Sequence, residues 1–125
     1  MSNPCGRHII AELYQCNPLI LNDLSSIQEI LIEAAVQAGA EVRDFAFKKM
    51  SPSRLCGVMI ISESHLAIHT FADLGYASLD IYTFSQRINP NEAYYYIANQ
   101  LQASWSLVKE LLRGYGEIQE NLLEY

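Results

Sequence analysis

The chain has 125 residues, half of them hydrophobic and 18% charged. That length buries roughly two thirds of the unfolded surface in one modest core, and the ratio excludes a disordered chain. No apolar run approaches the ~18 residues of a membrane span. Fourteen acidic against eight basic residues, a formal charge of -6, argue against a nucleic-acid partner. The start MSNPCGRHII has no secretory pattern, so a cytoplasmic protein with neither nucleic-acid nor membrane partners is expected, folded as a single domain over 1–125.

The run RHIIAELY, Arg7 to Tyr14, reads as a first strand stopped by the Asn17-Pro18 turn signal. From Asp23 the spacing of Ile27, Ile30, Leu31, Ala34, Ala35 and Ala38 predicts a helix ending before Gly39, with Ser26 and Glu29 at capping-box distance. EVRDFAFKKM, ending at Met50, is extended with Arg43, Phe45 and Phe47 on one side. Leu55–Ile61 is a continuous apolar run, and the residues from His65 to Phe71 and from Tyr76 to Phe84 alternate by two, so all three are expected as strands. Asn89, Pro90 and Glu92 predict the start of a second long helix, running to Leu101. The tail from Ala103 carries strand character in WSLV and helical character in VKELL, and its last ten residues are left unassigned. This order implies an α+β two-layer sandwich, an antiparallel sheet of four or five strands with two helices on one face. The uncovered face makes a homodimer the expected assembly.

The polar interruption Ser62-Glu63-Ser64-His65 between two hydrophobic strands is either a polar hairpin turn or a functional site. His65 and His69 are four apart, but on a strand that is roughly 13 Å, too far for one ion. No metal is therefore expected. Tyr94, Tyr95 and Tyr96 suit core and rim better than nucleobase stacking. Cys5, Cys16 and Cys56 match neither a disulfide framework nor a paired metal site.

The segments GRHIIAELYQC and ISESHLAIHTFADLGYASLDIYTF, with the Asn89-Pro90 helix, resemble the small prokaryotic S-adenosylmethionine decarboxylases over about Gly6 to Leu101. These are pyruvoyl enzymes of polyamine biosynthesis, made as proenzymes. The resemblance implies self-cleavage between Glu63 and Ser64: the Ser64 hydroxyl attacks the Glu63 carbonyl, the ester eliminates, and the dehydroalanine hydrolyses to a ketone with loss of ammonia. The resulting pyruvoyl group is the cofactor, an electron sink for a substrate amine losing its carboxylate. His69 stands where the family has its processing histidine, the base for elimination.

Other positions depart from the family. Phe84 replaces its catalytic cysteine and Cys56 its processing serine, which leaves Cys56 as the candidate proton donor, beside the alternative of a buried strand cysteine. Asp73, in FADLGY, stands for the acidic residue that holds the ribose. The tryptophan-proline before it is Phe71-Ala72. Met50 falls near an adenine-stacking aromatic, and Leu66 is expected on the adenine side. The implied substrate is small and cationic. It is S-adenosylmethionine first, or else arginine or ornithine, which members of the same fold group decarboxylate with the same chemistry. A non-catalytic paralogue is the third reading.

Overall fold

Period-two alternation needs one buried face, and the sheet supplies it. The computed structural model describes residues 5–121. In chain order its elements are β1 (Cys5–Tyr14), α1 (Pro18–Leu21), α2 (Leu24–Gln37), β2 (Val42–Ser51), β3 (Arg54–Ile61), β4 (Ser64–Phe71), a 3-10 turn (Ala72–Leu74), β5 (Tyr76–Thr83), α3 (Pro90–Gln100), β6 (Trp105–Gly114) and β7 (Glu117–Asn121). All seven strands form one antiparallel sheet in the order β2-β3-β4-β5-β1-β6-β7.

The α+β sandwich is as expected, but the sheet is wider than four or five strands because the tail is extended. Trp105 to Gly114 pairs with β1 along its whole length, so tertiary pairing overrides the helical spacing of VKELL. Of the ten unassigned final residues, 117–121 form β7 on the edge of β6, and 122–125 lie outside the described residues. Two further differences are local. Asn17-Pro18 opens the short α1, with the Asn17 side chain accepting from the Leu19 N–H. The cap of α2 is Asp23 rather than Ser26: the Ser26 hydroxyl donates to the Asp23 carboxylate at 2.5 Å, so the Ser26–Glu29 box does not form.

One face of the sheet is dry. Ile9, Ala11, Leu13, Met59, Leu66, Ile68, Leu79 and Ile81 are buried there against Ile27, Leu31 and Ala34 of α2 and Ile97 of α3. Thr70 is a fully buried polar residue in this layer. Its hydroxyl donates to the Leu21 carbonyl and accepts from the Leu55 N–H, tying α1 to the sheet without an unsatisfied group. Phe47 covers β3 at Gly57, where an added Cβ would lie 2.3 Å from the ring. Gly57→Ala should therefore lower stability by about 1–3 kcal/mol in urea unfolding, as Phe47 is forced off its seat.

Among the described residues, no helix covers the opposite face. It exposes Val58 and Ile60 of β3, Ile10 of β1 and Leu107 of β6 among polar and aromatic side chains.

Candidate active site

Ser62 and Glu63 make the two-residue turn of the β3–β4 hairpin, and Ser64 and His65 already belong to β4. The polar interruption is thus a turn and also the place where the expected scissile bond lies. Glu63 has φ 49°, in the left-handed region that costs a side-chain-bearing residue roughly 1 kcal/mol or more. Ser62 anchors the turn from the other side. Its hydroxyl accepts from the Glu41 N–H at 3.0 Å and its own N–H donates to the Glu41 carbonyl at 3.0 Å.

The last residue of β5 and the one after it meet this turn. The Ser64 hydroxyl donates to Thr83 Oγ1 at 2.6 Å, and the Phe84 N–H donates to the Glu63 carbonyl at 3.2 Å. A cleft of about 730 Å³ opens beside them, lined by Glu41, Arg43, Glu63, Phe84 and Arg87. The Ser64 hydroxyl and the Glu63 carbonyl are therefore held at the same strand end, with Glu63 and Phe84 on the wall of the cleft, and these residues fit the formation of a pyruvoyl group from Ser64.

His69 and Cys56 are also brought together, but elsewhere. They are register partners on β4 and β3, with Cys56 Sγ 4.0 Å from His69 Nε2. Alternation puts both on the uncovered face, whereas the Ser64 hydroxyl is directed to the helix-covered side, where Thr83 is buried. His69 lies five strand steps from Ser64, roughly 16 Å. Within one chain, His69 cannot act on Ser64. Burial pushes the thiol of Cys16 up to about 11, and Cys5 is exposed.

The residues expected to bind substrate divide in the same way. Asp73 follows β4 at the His69 end and pairs with Arg54 at 3.4 Å. Met50 is exposed near that end, close to the irregularity that shifts the β2–β3 register. Leu66 is fully buried among the core side chains, so it offers a ligand no surface; its alternation places it opposite the open face. Among the described residues, no group of three or more His, Cys, Asp or Glu side chains is placed to hold a metal. Among the described residues, no helix is long and apolar enough to cross a membrane.

Two clusters on the open face escaped the sequence reading. At the His69 end, the rings of Phe71, Tyr76, Tyr14 and Trp105 stack in a row across four strands at 4.2–5.5 Å. Beside them Glu12 accepts from the hydroxyls of Tyr76 and Ser78, and Ser78 is the register partner of His69. At the Ser64 end, Arg113 lies 4.2 Å over the Tyr82 ring, and Tyr82 packs on Phe84, His8 and His65. Burial, followed by the nearby charge of His8, holds the His65 imidazole below the usual histidine range. Alternation signals that Glu12 is a polar residue facing out of a strand. Which strands stand side by side depends on register, and register is absent from local pattern.

Comparison with known proteins converges on one family. The model of the family described as S-adenosylmethionine decarboxylase matches residues 7–114. S-adenosylmethionine decarboxylase proenzyme 2 of Halalkalibacterium halodurans is 55% identical over 114 residues, covering 91% of this chain and 90% of that protein. The S-adenosylmethionine decarboxylase proenzyme of Syntrophomonas wolfei is 47% identical over 118 residues, 94% of each chain. The solved structure of the adenosylmethionine decarboxylase from Aquifex aeolicus superposes with a TM-score of 0.79 over 98% of this chain and 100% of that one. At 24% identity it speaks for the fold.

Proposed function

Since the chain belongs to the S-adenosylmethionine decarboxylase family of pyruvoyl-dependent carboxy-lyases, we propose that it cleaves itself between Glu63 and Ser64 and decarboxylates S-adenosylmethionine as a homodimer. The observation that carries this reading is the separation of the site into two halves at opposite ends of β4. One end holds Glu63 and Ser64; the other holds His69, Cys56, Asp73 and Met50.

A two-fold axis running across the strands, between two uncovered faces, joins the halves. Such an axis reverses strand direction, so the His69 end of one protomer lies over the Ser64 end of its partner, with sheets about 10 Å apart. The same packing covers Val58, Ile60, Ile10 and Leu107, which stand exposed on that face. Each dimer then carries two equivalent sites.

In that site the pyruvoyl ketone made from Ser64 supplies the electron sink for the substrate amine. His69 of the opposing protomer removes the proton that drives ester elimination during processing. Cys56, beside His69, returns a proton to the decarboxylated substrate in place of the family cysteine that Phe84 replaces. Asp73 accepts from the ribose hydroxyls, and Met50 packs a polarizable thioether on the adenine.

A parallel assay of carbon dioxide release from S-adenosylmethionine, arginine and ornithine tests the substrate. Release should favour S-adenosylmethionine, and Asp73→Asn should raise its KM about tenfold or more by removing a charge-assisted contact worth roughly 1.5–3 kcal/mol. A preference for arginine or ornithine would mark a pocket remodelled around Phe84 and Met50. No release from any of them by processed protein would mean that turnover has been lost.

A further inference from the structure

Both residues of the Glu63–Ser64 bond are gripped by the last residue of β5 and the residue that follows it. Thr83 Oγ1 accepts the Ser64 hydroxyl at 2.6 Å and the Ser85 N–H at 3.0 Å, and Thr83 is 1% exposed. The Phe84 N–H donates to the Glu63 carbonyl at 3.2 Å. From this geometry we infer that Thr83 and the backbone N–H of Phe84 form the clamp for self-cleavage: Thr83 positions the attacking oxygen, and the Phe84 N–H stabilises the oxyanion. This deepens the self-cleavage reading above and rests on it.

Three features support the assignment. First, Thr83 receives the hydrogen bond from Ser64. Its second acceptor contact, with the Ser85 N–H, orients Oγ1 independently of Ser64. The Ser64 hydroxyl is thereby held in one rotamer, with its lone pairs left for attack on the preceding carbonyl. Second, the donor to the Glu63 carbonyl is a backbone N–H one residue past the paired end of β5, so it is preorganised by that pairing and needs no side-chain ordering. Third, the turn holds Glu63 at φ 49°, a strain that chain cleavage releases.

The step so assisted is an acyl shift. The Ser64 Oγ–Glu63 carbonyl carbon bond forms while the carbonyl π electrons move onto the oxygen facing the Phe84 N–H. On collapse the carbon–nitrogen bond breaks. The proton lost by Oγ is balanced by the one gained at the Ser64 nitrogen, so no external reagent enters.

Because the Phe84 contribution comes from its backbone, it survives the exchange of the family cysteine for phenylalanine. Processing and turnover are thereby separated in this chain. The side chain at position 84 bears on the substrate, and its N–H bears on maturation.

The clamp can be timed in protein freshly made by cell-free translation, with samples denatured and read by intact mass spectrometry. Thr83→Val should slow cleavage at least about tenfold, the size of one hydrogen bond realised in the transition state, and Thr83→Ser should restore the rate to within about twofold of wild type. Replacing Phe84 by its α-hydroxy acid analogue, phenyllactic acid, removes the N–H and keeps the ring, and should slow cleavage by roughly 10²-fold. Hydroxylamine splits an accumulated ester, and Thr83→Val should give less hydroxylamine-sensitive chain than wild type, locating the block before elimination. Melting of Thr83→Val in a Ser64→Ala background reports stability separately, and a fall there matched by Thr83→Ser with slow cleavage in both would assign Thr83 to packing and overturn the clamp. So would wild-type rates in Thr83→Val. A wild-type chain that never cleaves would overturn self-cleavage itself, and the clamp with it.

Discussion

Denatured wild-type protein will resolve by intact mass into two chains, residues 1–63 and 64–125, and Ser64→Ala will remain a single species of full length. The two products are nearly equal in size, so electrophoresis can show one band where mass shows two. The mass also identifies the chemistry. Elimination followed by hydrolysis leaves the second chain lighter by one ammonia than a fragment made by simple proteolysis, because the Ser64 nitrogen has been lost and a ketone stands in its place. The effect is all or none. Alanine keeps the strand and the turn but has no oxygen to attack the Glu63 carbonyl, and no neighbouring hydroxyl can substitute, since the Thr83 hydroxyl belongs to the strand across from Ser64. A full-length species persisting in the wild type after long incubation would defeat the prediction. Cleaved chain with an ordinary N-terminal serine would defeat the chemistry while leaving the site of cutting intact.

What could be read in the sequence follows the range of the forces involved. α2 and α3 announce themselves because spacing on a helix is local, and Asn89-Pro90 caps the second of them as the pattern requires, with the Asn89 side chain accepting from the Asn91 N–H. The central strands are equally legible from their alternation. β6 and β7 are not. VKELL has helical spacing, and only ten consecutive pairings with β1, from Cys5–Gly114 to Tyr14–Trp105, make it a strand. The same limit applies to the site. Glu63, Ser64, His69 and Cys56 can be picked out by chemistry and resemblance, but their positions at two ends and on two faces of one hairpin come from parity and length. From Ser64 to His69 is a step of five positions, an odd number, which sends the two side chains to opposite faces. Leu66 shows the cost of neglecting this. Two residues from Ser64, it shares the covered face and is consumed by the core. Thr83 and Glu12 were missed because their partners, Ser64 and Ser78, are distant in sequence and adjacent only through strand register.

Complementation between two defective chains carries the largest consequence for the divided site. His69→Ala alone should fail to process beyond a trace, because the ester formed at Ser64 lacks its base and drifts back to the amide. Ser64→Ala alone cannot process at all. Co-expressed with distinguishable tags and purified through both, the mixed dimer should cleave the His69→Ala chain and only that chain: the backbone of its intact Glu63–Ser64 end lies under the intact His69 of the other protomer, whereas the reciprocal site lacks both groups. A histidine acting within its own chain predicts the reverse, no cleavage of either chain in any mixture, and the roughly 16 Å of strand between the two residues already weighs against that route. Cleavage of the His69→Ala chain without a partner would remove His69 from processing and return the elimination step to water or another base. Carbon dioxide release by the purified mixed dimer extends the test to turnover. One competent site per dimer should give about half the wild-type rate per dimer, provided that Cys56 and Asp73 of the Ser64→Ala chain serve the pyruvoyl group of the other. Adding Cys56→Ala should then silence turnover when placed in the Ser64→Ala chain and leave it nearly intact when placed in the His69→Ala chain, because only the first of these cysteines stands across from a processed serine.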